Sequence, residues 1–418
     1  MKLKVSLTLS IICIIFCACT HEVPVEDRLQ DVLDKGIAKY DVNGASATVI
    51  FPDGEIWNGV SGISHDTVPI EPNMLFAIGS VTKNFVAALI MSLAEDDVLT
   101  LDDPVSKWLP TYNHVNGNIT IRQLLNHTSG LYMFWDNQEI WDDLIADRKR
   151  FFTPDEVLEY IKEPDFEAGE GWRYSNTNYL LLAMIINEAT GSNLSTELNK
   201  RLYQPLGLTD FYLSQEESIP PEQQAHIYSD NWDGPIRDVT FLPRTSHESI
   251  GYGSSGIFTT SENLARWAHA LFGGGILEEQ SMNEMLTFVE FKPVSNMRAY
   301  GLGVQEFRKN ISLGERALGH AGGNIGTTTY MVYFPDHQVS VVVMINAFPN
   351  EGAEAITTGL IKETLKDVGA YGISSLIQAN IQYLLIAIGA VGILTTIIYR
   401  TIRKKRNLRS ESNNIPMG

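Results

Sequence analysis

Ser80 and Lys83 stand three residues apart in Ile78-Gly79-Ser80-Val81-Thr82-Lys83, a spacing that puts both side chains on one face of a helix, a turn apart. The pair could carry nucleophilic chemistry. A serine hydroxyl is a weak nucleophile until a base takes its proton, and a lysine enclosed between a buried helix and its neighbours loses enough basicity to be that base. Gly79 reads as a turn before the helix, so Ser80 falls at a helix N-terminus, where unpaired backbone N–H groups favour a developing negative charge. The position equally suits a simple helix cap. A chain of this composition contains about one S-x-x-K by chance, so the pair alone leaves both readings open.

The elements that must hold the pair follow from the patterning. Asn84 to Leu93 is apolar on every face, which suits a helix inside a domain rather than one on its surface. Before it, Ala45 to Ile63 alternates apolar and polar residues around Pro52-Asp53-Gly54, a hairpin signature. From Leu99 to about Leu286 the patterns are mainly helical, with loops marked by Gly and Pro. In that layer Thr120 caps Ile121 to Asn126, and His127 at the helix end is read as structural, a cation favoured by the dipole. The loop Glu167 to Trp172 leads into Arg173-Tyr174-Ser175-Asn176 and a helix from Leu180 to Thr190, stopped by Gly191. Gly251 to Ile257 is too glycine-rich for a helix and precedes one at Ser261 to Leu271. From Leu318 the texture changes, and the chain reads as strands at 319–323, 328–334 and 339–346, followed by an amphipathic helix from Ala353 to Val368. Strands at both ends with helices between them imply an α+β fold: one antiparallel sheet built from both ends of the domain, with a large helical insertion.

The two ends of the chain carry other signals. Lys2 and Lys4 precede the apolar run Val5 to Ala18, which reads as a secretory signal over residues 1–19. Phe16-Cys17-Ala18-Cys19 resembles a bacterial lipoprotein cleavage box, with Cys19 the lipidated residue; ordinary signal cleavage is the alternative. All three cysteines fall in those 19 residues, so no disulfide or thiolate metal site is expected in the folded body of residues 20–368. After a linker at 369–380, Ile381 to Tyr399 is apolar and long enough to cross a bilayer. Arg400, Arg403, Lys404, Lys405, Arg406 and Arg409 follow, so residues 400–418 are expected in the cytoplasm and the body outside it, held at the cell membrane. The formal charge is −19, and the body without those basic ends is more acidic still, which argues against nucleic acid as a partner. His114, His226, His247, His269 and His337 are scattered without ligand spacing, so neither a metal site nor a cofactor is expected.

Three elements stand in order: Ser80-Val81-Thr82-Lys83, Tyr174-Ser175-Asn176 and His320-Ala321-Gly322. Together, from about Ala45 to Val368, the chain resembles the serine β-lactamase-related family that includes class C β-lactamases, D-alanyl-D-alanine carboxypeptidases, and related esterases and D-aminopeptidases. The resemblance implies a β-lactamase/transpeptidase-like fold and an acyl-enzyme on Ser80, with Lys83 and Tyr174 sharing the proton. It implies that Asn176 donates its amide to the substrate carbonyl or holds Lys83 in place. The oxyanion donors it implies are the backbone N–H groups of Ser80 and Gly323, worth roughly 3 to 4 kcal/mol each. Gly322 is expected to let a substrate backbone lie close to the strand.

Two positions depart from the β-lactamases proper. His320 stands where they have Lys, and Ala321 stands where carboxylate-binding members carry a hydroxyl, so one charge-assisted hydrogen bond to a substrate carboxylate is missing. No Glu is assignable as a class A deacylation base. The resulting expectation is a membrane-held, outward-facing serine hydrolase of ester or amide bonds in small molecules or peptides, including peptides with D-residues. The alternatives are a penicillin-binding-like sensor that deacylates slowly, and a true β-lactamase or D,D-carboxypeptidase.

Overall fold

In the computed structural model, residues 23–370 are described, other than 231–233 and 295. The leader with Cys19, the segment 381–399, the basic tail and most of the 369–380 linker lie outside the described residues. Among the described residues no helix is long and apolar enough to cross a membrane.

Gly44–Ile50 (β1) reads GASATVI and is buried at every position. Small and β-branched residues covered on both faces suit the middle of a sheet. β1 turns through Phe51 to Glu55 into Ile56–His65 (β2), with Ile50 opposite Ile56, which is the expected hairpin. Val68–Pro69 (β3) ends that edge.

On its other side β1 pairs with the last strand of the chain, Val339–Ile345 (β9), in the register Ala45↔Ile345 to Ile50↔Ser340. β9 pairs with Thr327–Phe334 (β8), and β8 with Leu318–Asn324 (β7). The two ends of the domain thus share one sheet, as the sequence implied.

Val289–Val294 (β4), Met297–Tyr300 (β5) and Gln305–Phe307 (β6) extend it to nine strands in the order β3-β2-β1-β9-β8-β7-β6-β5-β4. These three are short, and the register shifts between Met297 and Ala299.

The sheet is covered on both faces. Val25–Tyr40 (α1) and Gly352–Asp367 (α6) pack together so closely that a Cβ on Gly36 would stand 2.3 Å from the Ile356 side chain. On the opposite face lies Ser261–Phe272 (α5), whose Ser261 hydroxyl reaches Ser46 and Thr48 of β1 at 2.8 and 2.9 Å.

Beyond α5 is the helical layer around Thr82–Glu95 (α2). Eleven of the fourteen α2 residues are buried, Lys83 and Asn84 among them. Ile121–Leu125 (α3) and Asn176–Thr190 (α4) pack in the same layer, α4 starting earlier than its apolar run and ending at Gly191 in the left-handed conformation. One feature of this layer is absent from the patterning. Phe76–Ala77, Ile257–Thr259 and Tyr212–Leu213 form a small three-stranded sheet that joins the segment before Ser80 to the segment after Ser254.

Candidate active site

Ser80 sits in a one-turn 3₁₀ helix, Gly79–Val81, that leads into α2. It does not cap the helix: α2 has no side-chain cap, and the Ser80 hydroxyl instead accepts a hydrogen bond from Lys83 Nζ at 3.1 Å. Lys83 is fully buried, and its Nζ donates a second bond to the Ser254 carbonyl at 2.8 Å. Burial with no carboxylate partner holds its pKa well below that of a free lysine, because the charged form is the one desolvation penalises. A neutral amine at this distance can accept the serine proton.

Tyr174 completes the group. Its hydroxyl lies beside the Ser80 side chain, and desolvation, only partly opposed by that neighbour, raises its pKa above the usual phenol value. Lys83 Nζ lies 4.9 Å from the centre of its ring. The segment arrives there because Arg173 N–H donates to the His127 carbonyl and Arg173 pairs with Asp136 and Asp165. Ser80, Lys83 and Tyr174, chosen from spacing and resemblance, therefore meet at one point.

The third motif lies against the Ser80 turn. Gly79 has φ +52, and a Cβ there would stand 2.4 Å from the Gly323 carbonyl oxygen; a Cβ on Gly322 would stand 2.0 Å from the Ile78 carbonyl oxygen and 2.9 Å from Ser80 N. The space freed at Gly322 is therefore filled by the chain's own turn rather than left for a substrate backbone. Ala321 N–H donates to Gln305 Oε1 of β6 at 3.0 Å. Backbone groups alternate sides along a strand, so Gly323 N–H points to that same side, beyond Gly319, where pairing with β6 stops. Gly323 is an exposed residue, and Ser80 N–H lies in the first turn, where helical partners are lacking; the strand from Gly322 to Gly323 packs directly on the turn from Ile78 to Ser80.

His320 is placed differently from its expected substrate role, and of the two roles read for Asn176 the hold on Lys83 is not made. His320 is fully buried with both ring nitrogens taken. The Ala321 carbonyl lies 2.6 Å from Nδ1, so that nitrogen carries the proton, and Nε2 accepts from the Tyr300 hydroxyl at 2.9 Å. Burial and the neighbouring Lys83 depress its pKa to about 3, so it is neutral and offers no charge to a carboxylate. Asn176 opens α4, but Lys83 bonds Ser80 and Ser254 rather than Asn176. Its Oδ1 is buried without a partner, and its backbone N–H meets Met133 Sδ at 3.0 Å.

For His127, only the helix-dipole reason given for a structural role fails. It is wholly buried and held neutral by desolvation, so it does not act as a cation on the helix dipole. Sequence reasoning missed Ser254, Tyr300 and Gln305. The glycines around Ser254 mark a tight loop, but no local pattern marks the other two. Among the described residues no group of His, Cys, Asp or Glu is arranged to hold a metal ion.

The family model described as Beta-lactamase matches residues 29–366. The chain belongs to the beta-lactamase family. Among curated relatives of this family member, a penicillin-binding protein of Bacillus subtilis is 27% identical over 294 residues, 66% of this chain and 62% of its own length. Esterase EstB of Burkholderia gladioli is 29% identical over 275 residues, 58% of this chain and 69% of its own. The match thus spans less than two thirds of the first relative. Among solved structures, the D-stereospecific amidohydrolase of a Streptomyces species superposes with a TM-score of 0.71 at 30% identity, covering 80% of this chain and 97% of that one. The D-amino acid amidase of Ochrobactrum anthropi superposes with a TM-score of 0.73 at 26% identity, covering 82% and 99%.

Proposed function

We propose that this beta-lactamase family member is a serine hydrolase of ester or amide bonds that works through an acyl-enzyme on Ser80. The observation that carries the reading is the buried Lys83 amine 3.1 Å from the Ser80 hydroxyl, with the Tyr174 phenol beside the same hydroxyl. Neutral Lys83 takes the Ser80 proton as Oγ bonds to the substrate carbonyl carbon. The oxyanion forms beside the Ser80 and Gly323 N–H groups. Tyr174 passes the proton to the leaving oxygen or nitrogen as its bond to carbon breaks. Water then attacks the acyl group, gives its proton back through the same pair, and Ser80 is released.

The substrates that fit best are esters and amides, with D-amino acid amides foremost. The relatives point that way, and neutral His320 beside Ala321 provides neither a cation nor a hydroxyl for a carboxylate. This favours an esterase or amidase over a β-lactamase or D,D-carboxypeptidase. Mass spectrometry after exposure to an activated ester should show one acyl group on Ser80, with burst kinetics; Ser80→Ala with undiminished turnover would rule the mechanism out. Acylation without turnover would instead support a slowly deacylating sensor.

The sequence at the two ends supports a further reading, that the enzyme is held outside the cytoplasm by a lipid on Cys19 and a bilayer helix at 381–399. Extraction of the full chain from membranes by alkaline carbonate rather than detergent would argue against it.

A further inference from the structure

The mechanism above makes no use of a wholly buried imidazole at the centre of the site. His127 Nδ1 accepts from Ser175 N–H at 3.2 Å and faces Asn178 Nδ2 at 3.0 Å. Asn178 Oδ1 is occupied by the Ser129 hydroxyl at 2.6 Å, so Nδ2 is the donor and the proton of neutral His127 resides on Nε2. That nitrogen, on the far edge of the ring, is buried with no hydrogen-bond partner. His127 also has φ +62, a conformation uncommon outside glycine.

An orphaned donor and a left-handed backbone both cost stability, and such costs persist where the surroundings impose them, often at functional sites. What the ring touches gives the reason. Its centroid is 4.4 Å from that of Tyr174, 4.7 Å from Tyr300 and 5.4 Å from Tyr179. Tyr300 in turn donates to His320 on β7. One edge of the imidazole is tied to the residue after Tyr174, and its face supports the Tyr174 phenol.

We infer that His127 is a positioning residue of this site, its ring holding the Tyr174 phenol against Ser80. The inference rests on the proposed role of Tyr174 and adds to it the part that keeps it in place. The imidazole neither gives nor takes a proton, and its effect reaches the reaction only through Tyr174. A displaced phenol loses proton transfer while substrate binding is left largely intact, and a shift of about 1 Å in a reacting group costs about 100-fold in rate.

The test is steady-state hydrolysis of p-nitrophenyl acetate by the full chain carrying His127→Ala, His127→Asn, Tyr174→Phe, or His127→Ala with Tyr174→Phe. Asn tolerates the positive φ and keeps an acceptor for Ser175, but lacks the ring. Both single changes at His127 should lower kcat about 10- to 100-fold with KM within about threefold. On the Tyr174→Phe background the same change should cost nothing further, because residues acting through one group are not additive. If His127→Ala fails to fold, His127→Asn carries the test. A folded His127→Asn enzyme at native kcat would overturn the inference, as would a His127→Ala loss that adds in full to that of Tyr174→Phe. Tyr174→Phe turning over at the native rate would instead overturn the reading of Tyr174, and this inference with it, while leaving acylation of Ser80 standing.

Discussion

The Ser254 carbonyl accepts a hydrogen bond from Lys83 Nζ at 2.8 Å, across a separation of 171 residues. It fixes the amine beside Ser80 without supplying a negative charge, so nothing there offsets the desolvation that favours neutral Lys83.

Lys83→Met should abolish turnover and change stability in a pH-dependent way. The folded pKa of Lys83 lies well below its unfolded value, so between the two the unfolded chain binds the extra proton and native stability rises with pH. The variant lacks this dependence. Its melting temperature relative to the native protein should therefore improve as pH falls from about 10 toward neutrality. A difference independent of pH would show that Lys83 is not held neutral.

Removing the Tyr174 hydroxyl by Tyr174→Phe should lower kcat by about 100- to 10,000-fold, with an unchanged fold by circular dichroism. The phenol carries the proton, so the loss should fall on kcat rather than on KM.

Gly322→Ala and Gly323→Ala should differ. The first places a Cβ 2.0 Å from the backbone oxygen of Ile78, which yields only if the Ser80 turn moves; the second meets the Phe348 ring at 2.6 Å, a half-buried side chain rather than backbone. The expected order is a larger loss of kcat and of melting temperature for Gly322→Ala. Equal losses in both would mean that the turn and strand are less tightly joined than the geometry shows.

Neither buried histidine should titrate in the working range. His320 is depressed to about 3 and His127 well below its ordinary value, both chiefly by burial. The pH profile of kcat/KM should show no limb near 6.5 that His320→Asn or His127→Asn removes.

Asn84→Ala should destabilise the domain without touching the reacting groups. Asn84 accepts from Trp267 Nε1 at 2.9 Å and donates to the Gly303 carbonyl at 3.1 Å, all in the core. Two orphaned buried groups at about 1 to 3 kcal/mol each give a loss of roughly 2 to 6 kcal/mol by denaturant unfolding.

What the sequence by itself determined is local. The periodicity marked α2, α5 and the strands β1, β2 and β7 to β9, because burial on one face or on every face leaves a repeat that can be counted along the chain. The spacing of Ser80 and Lys83 placed them one turn apart, and the resemblance singled out Tyr174 and the strand from His320 to Gly323.

Tertiary structure decided the rest, because those properties depend on partners distant in the chain. A lysine is neutral only where other segments exclude water from it, and here the Ser254 loop and Tyr179 do so. His320 is a substrate group or a buried one according to whether Tyr300 stands on it, and Tyr300 lies on a short, irregular strand. Gly322 lies against the Ser80 turn because the strand and the turn, 242 residues apart, pack into contact.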